Sequence, residues 1–176
     1  AMGDIVRVPD GKIRALYMGT TTHQADLDMI LPALEAVAAL RPDFRLTVIG
    51  IGDGPLPSFA ERIEVPGEAK NYPRFVRWLG DQRRAIDFAL APLQEMPFND
   101  SKSDLKILDN GALGLPVVAS RHPAFAHFAG REGVTLVANR VEDWTAALLD
   151  QIDNRDRHAK AGDALRRWVF ENRSLE

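Results

Sequence analysis

Phe98-Asn99-Asp100-Ser101-Lys102-Ser103-Asp104-Leu105-Lys106-Ile107-Leu108-Asp109-Asn110-Gly111-Ala112-Leu113-Gly114-Leu115-Pro116-Val117-Val118-Ala119-Ser120 reads as a loop, a helix, a tight turn and a buried strand in succession. Ser101 or Ser103 suits the N-cap, and Ser101 with Asp104 three residues later approximates a capping box. Leu105, Leu108, Ala112 and Leu113 form an apolar stripe at helical spacing. Gly114 is a left-handed stop and Pro116 cannot continue the helix, so Val117, Val118 and Ala119 read as a short apolar strand.

The polar face of this helix points to chemistry. Lys102, Lys106 and Asp109 stand at i, i+4 and i+7 and line up along one side. A helix N-terminus offers unpaired N–H groups and partial positive charge, which suits a phosphate. Lys102 in the first turn opposes the helix macrodipole, and a residue that breaks a local rule is a candidate for function. The plain alternative is a solvated face with a Lys106–Asp109 pair.

The stretch resembles the donor-binding helix of the retaining group 1 glycosyltransferases of GT-B fold. Their pattern is an acid, seven residues, a second acid, a small-residue segment and Gly-x-Pro-Val-Val-Ala-Ser. Gly114 to Ser120 match the closing motif, and Asp109 takes the second acid position, where the family's Glu grips the ribose hydroxyls of a sugar nucleotide. The first acid position falls on Ser101, and the following Lys102 to Lys106 resemble a lysine-bearing subgroup. The resemblance extends from about Ile13 to Ile152. It implies that Asp109 holds the ribose and that Lys102, with the N–H groups of Ser101 to Ser103, holds the diphosphate. The Asn99-Asp100-Ser101 loop would face the sugar, and Gly67 would lie near the base. The family places an arginine and a lysine in the loop after the first strand, beyond Gly19; here Thr20-Thr21-Thr22-His23 stand there. Lys102 and His23 are then expected to supply the missing charge. Lys102 and Ser101 are the expected catalytic residues; Asp109, Lys106, Ser103, Asn99, Gly19, Thr20, His23 and Gly67 are the expected donor-binding ones. No cofactor or metal is implied, only a nucleoside diphosphate sugar as substrate.

Length and composition bound these readings. At 176 residues the chain is one domain with room for a core, and 45% hydrophobic with 27% charged residues is ordinary for a soluble protein. A net charge of −3 leaves no basic footprint for nucleic acid. Without cysteine there is no disulfide or thiol chemistry, which fits a cytoplasmic protein. No apolar run reaches membrane-spanning length and no signal peptide is legible.

In chain order, Ala1-Met2-Gly3 reads as a tag remnant within a lead-in to residue 12. Strands are expected at Ile13–Met18, Leu46–Ile49, Ile63–Val65, Ile86–Leu90 and Val134–Val137, besides the one after Pro116. Helices are expected at Asp26–Leu40, where Pro32 should kink or limit the first turns, from Tyr72 with Pro73 in its first turn, near Ala124–Ala129, and at Val141–Ile152. A C-terminal helix from Asn154 follows the nucleotide-sugar domain of residues 13–153. The last helix of that domain should bury Val141, Trp144, Leu148 and Ile152. About six strands alternating with helices predict an α/β, Rossmann-like, doubly wound parallel sheet, one half of a GT-B fold.

Other motifs carry less. Gly50-Ile51-Gly52-Asp53-Gly54 follows a strand, but Pro55 and Pro57 deny it the helix that a dinucleotide fingerprint needs. Asp26-Leu27-Asp28 resembles a metal motif, yet two acids in a first turn are expected from the helix dipole alone. A GT-B enzyme needs two such domains, so the acceptor half is missing and the chain alone should bind donor but transfer little. A non-catalytic nucleotide-binding or regulatory module on the same fold and an unrelated nucleotide-binding Rossmann domain are the alternatives.

Overall fold

The computed structural model describes residues 10–69, 71–99 and 102–173. The expected tag remnant, Asp100 and Ser101 lie outside them. Six strands and five α-helices follow in order: β1 Ile13–Met18, α1 Gln24–Leu40, β2 Phe44–Ile49, β3 Ala60–Ile63, α2 Tyr72–Gln82, β4 Phe88–Ala91, α3 Leu105–Ala112, β5 Val117–Ser120, β6 Val134–Val137, α4 Val141–Asp153 and α5 Arg155–Arg173. The strands form one sheet in the order β3-β2-β1-β4-β5-β6, with every neighbouring pair parallel. This is the expected doubly wound, Rossmann-like sheet.

The inner strands β4 and β5 are buried at every position because both faces of the sheet are covered. Ile13, Ala15 and Tyr17 of β1 pack with α1 and α4, whose Ile30, Leu34, Trp144 and Leu148 are buried there. Leu16 faces the other way, into a second core with Leu79 of α2, Ile107 of α3 and Leu165 and Val169 of α5. No helix among the described residues is long and apolar enough to cross a membrane.

Several boundaries differ from expectation for physical reasons. β3 covers 60–63 rather than 63–65, because its ladder with β2 runs from Ala60 opposite Leu46 to Ile63 opposite Ile49. β4 begins at Phe88 rather than Ile86: the buried Asp87 carboxylate just before it accepts from the Arg14 backbone N–H at 2.9 Å and from Arg155 Nε at 2.6 Å. α1 runs unbroken from Gln24 to Leu40 across an exposed Pro32. In α3 Leu108, Ala112 and Leu113 of the expected stripe pack partly buried against the second core, but the fully buried positions are Ile107, Asn110 and Gly111 and Leu105 is 58% exposed, so the buried face is shifted from the expected one. Val141 is likewise exposed at the start of α4, while Trp144, Leu148 and Ile152 are buried as expected.

Gly114 closes α3 with φ +72°, the left-handed stop that its position predicts. Its carbonyl is covered by α5 at Gly162, where a Cβ would lie 2.4 Å from Gly114 O and 2.8 Å from Pro116 Cδ. Gly162→Ala therefore gains helix propensity but overpacks against backbone, and is expected to destabilise the domain by about 1–3 kcal/mol. Gly80→Ala in α2, where a Cβ meets nothing within 4 Å, should instead stabilise by up to about 1 kcal/mol. Thermal denaturation of the two variants checks both signs.

Candidate donor site

The strand order reverses between β1 and β4, so the chain leaves the carboxyl ends of these neighbours toward opposite faces and opens a crevice between the two exit loops. The loop after β1 carries Gly19, Thr20 and His23; the loop after β4 carries Asn99 and Lys102 and leads into α3 with Lys106 and Asp109. Side chains bind the two loops together. The Gln94 backbone N–H donates to Asp26 Oδ1 at 2.9 Å, and Gln94 Nε2 donates to the Ala25 carbonyl at 2.9 Å. Asn99 is buried, its Nδ2 donating to Gln94 O at 2.9 Å, and its carbonyl accepts from the Lys102 N–H at 2.9 Å.

His23 Nδ1 lies 3.2 Å from Asp26 Oδ2, and the Tyr17 hydroxyl donates to the His23 carbonyl at 2.8 Å. Lys106 does not pair with Asp109. It turns inward so that Nζ sits 5.0 Å from the centroid of the Tyr17 ring, buried and without a hydrogen-bond partner among the described residues. A cation over an aromatic face is stabilised, but an ammonium removed from water is costly without donors satisfied. Burial accordingly pushes the Lys106 pKa down to about 8, with Asp26 opposing the shift and Lys102 adding to it. His23 is lowered from its ordinary value first by burial, then by the charges of Lys106 and Lys102, against the pull of Asp26. Asp26, His23, Lys102 and Lys106 thus act on one another across the crevice.

The remaining expected residues are less tightly gathered. Asp109 is exposed on α3, and the protein around its carboxyl raises its pKa. Thr20 is exposed, its hydroxyl 2.8 Å from that of Thr22, and Gly19 N–H donates to Ile49 O at 3.1 Å. Gly67 lies exposed in a short turn after the edge strand β3, linked to the crevice by no hydrogen bond among the described residues.

Capping of α3 departs from expectation. The helix begins at Leu105, so Lys102 precedes the first turn instead of opposing the dipole within it. Asp104, not Ser103, occupies the N-cap position, and its carboxylate caps nothing. It accepts instead from His127 Nε2 at 2.9 Å and Arg173 Nη2 at 2.8 Å, a tertiary use that the local pattern does not contain. Sequence reasoning also passed over Tyr17 and the structural use of Asp26. The Asp26–Asp28 pair diverges, Asp26 being buried and Asp28 exposed with Gln24 Nε2 at 2.7 Å. No group of three or more possible metal ligands occurs among the described residues.

This sheet order, covered on both faces, is that of one half of a GT-B fold. The chain belongs to the family described as glycosyl transferases group 1, whose model matches residues 12–154. Among solved structures it is similar to the C-terminal domain of the group 1 glycosyl transferase LpcC from Francisella tularensis, at 14% identity and a TM-score of 0.67, covering 98% of this chain and 97% of that one. It is similar to Anabaena HepE in complex with UDP and glucose, at 12% identity and a TM-score of 0.64, covering 92% of this chain and 44% of that one. A third likeness is to a mutant of S. aureus TarM in complex with UDP and other ligands, at 12% identity and a TM-score of 0.70, covering 98% of this chain and 35% of that one. The chain thus spans less than half the length of HepE and TarM. No curated protein matches it in sequence.

The buried lysine makes stability depend on pH. Lys106 titrates near 8 in the folded chain against 10.5 as its ordinary value, so between these pH values the unfolded chain binds more protons and stability rises with pH. Lys106→Met should raise stability at neutral pH by about 1–3 kcal/mol and flatten that rise. Denaturant unfolding at pH 7 and at about pH 9.5 distinguishes the two chains.

Proposed function

We propose that this domain binds the nucleoside diphosphate sugar of a retaining, metal-independent glycosyltransferase whose acceptor is held by a separate N-terminal domain. The observation that carries the reading is the Lys106 ammonium, buried over Tyr17 at the reversal of strand order, with no hydrogen-bond acceptor among the described residues. A diphosphate supplies the missing acceptors, and a charge-assisted bond to it is stronger than a neutral one. Lys102 lies on the loop that leads into α3 and acts on the same charges. In this reading Lys102 and Lys106 hold the diphosphate, helped by His23, and Asp109 accepts from the ribose hydroxyls. Ser103 stands just before α3, Asn99 shapes the loop beside the sugar, Gly19 and Thr20 flank the phosphates, and Gly67 lies toward the base. The UDP bound by HepE and TarM supports the substrate class.

The chemistry is departure of the nucleoside diphosphate from the anomeric carbon. The domain's contribution is electrostatic, with lysines in place before charge develops on the leaving phosphate. Alone, the domain binds donor and transfers little sugar. Ser101 at the first acid position and Thr20 to His23 in place of an Arg/Lys clamp favour the second reading, a non-catalytic nucleotide-binding module on the same fold.

A thermal-shift panel of UDP, GDP, ADP, dTDP, CMP and NAD tests this. One nucleoside diphosphate at about a hundred times its Kd should add roughly 2.7 kcal/mol, a shift of several degrees. Asp109→Ala should abolish the shift with that nucleoside diphosphate, and Lys106→Ala or Lys102→Ala should weaken it for every diphosphate. A panel flat for all six, with the native chain folded, rejects the donor-binding reading.

A further inference from the structure

Asp26 is the most deeply buried charge at the crevice, 4% exposed, yet it stands in the first turn of α1 where the helix dipole alone would be served by an exposed acid such as Asp28. Both its oxygens are committed to other segments: Oδ2 to His23 Nδ1 at 3.2 Å and Oδ1 to the Gln94 N–H at 2.9 Å. The second bond continues through Gln94 O and Asn99 to the Lys102 backbone N–H. One carboxylate therefore reaches both exit loops of the strand reversal.

Resting on the donor-binding reading above, we propose that Asp26 is the positioning residue of the diphosphate site, holding His23 so that Nε2 donates to a diphosphate oxygen while it ties down the loop of Lys102. With Nδ1 engaged by the carboxylate, Nε2 is the ring's remaining polar atom. In a neutral ring so held, Nε2 is an acceptor, and a diphosphate offers acceptors only; the bond forms when the ring takes up a proton from solvent and both nitrogens donate. The groups facing His23 are Asp26 from α1, Lys106 from α3, Lys102 from the loop after β4 and Tyr17 from β1. In the free protein burial and the two lysines hold the ring below the usual histidine range. A diphosphate offsets those lysines and leaves the imidazolium between two anions. Donor binding is thereby coupled to proton uptake, and affinity rises as pH falls toward 6.

The test is isothermal titration calorimetry of the native chain with UDP-glucose, GDP-mannose and ADP-glucose near pH 6.5, in buffers of different ionisation enthalpy. Diphosphate diesters do not titrate there, and Lys106, with its pKa about 8, is already charged. The native chain should take up a fraction of a proton with the donor it binds. Asp26→Asn, whose amide can donate to Nδ1 and so leave a proton on Nε2 of a neutral ring, should bind with that uptake lost. His23→Gln keeps a donor and leaves the Asp26–Gln94 bond in place. It should also lose the uptake, with affinity about tenfold weaker; it decides the matter if Asp26→Asn fails to fold. A purely structural Asp26 would lower stability or affinity and leave the uptake unchanged. Unchanged uptake in the variants, or none in the native chain, overturns the proposal while donor binding stands. Binding of none of the three donors overturns both.

Discussion

Everything at the crevice depends on a sheet that is parallel throughout and covered on both faces. Parallel strands require crossovers, and the order β3-β2-β1-β4-β5-β6 sends the chain from β1 to α1 on one face and from β4 toward α3 on the other. Two neighbouring strands thus end beside each other while their loops diverge. That divergence leaves a gap beyond the strand ends. Its walls are the exit loops, and whatever charge they carry is concentrated there.

The charges are arranged with little redundancy. Lys106 reaches the gap from α3 and rests on Tyr17 of β1, so the same aromatic ring belongs to the core on one side and to the site on the other. Tyr17 also fixes the His23 carbonyl, and Asp26 balances His23 and Lys106 while anchoring Gln94. A buried carboxylate with one imidazole and one backbone partner is a costly element unless it serves the groups around it. Here it ties a turn and a long loop to one geometry. α3 itself is held from behind, where Gly111 allows Leu165 and Val169 of α5 to approach and Asp104 joins His127 to Arg173.

The alternation of apolar strands and amphipathic helices was legible because burial imposes a period on each element. β1, β6, the start of α2 at Tyr72 with Pro73 in its first turn, and the Gly114 stop all follow from local rules of periodicity, capping and backbone freedom. Strand ends were less legible, since Ala60 and Phe88 owe their places to a ladder partner and to Asp87 binding Arg14 and Arg155 far away in sequence. The shifted face of α3 has the same origin: Leu105 has helical spacing and stays exposed, whereas α5 closes on Gly111 through Leu165 and Val169.

For the site, the sequence by itself determined the helix, its lysines and acid, and the family motif from Gly114 to Ser120, because these are contiguous and each residue's chemistry is intrinsic. Only the tertiary structure decided which charges meet. Lys106 and Asp109 share a helix face in sequence, yet Lys106 is drawn to Tyr17, 89 positions earlier, and Asp26 to Gln94, 68 positions later. Burial then shifted an ordinary lysine and an ordinary histidine that meet beside Asp26, since desolvation is a property of the packed fold and of no residue alone.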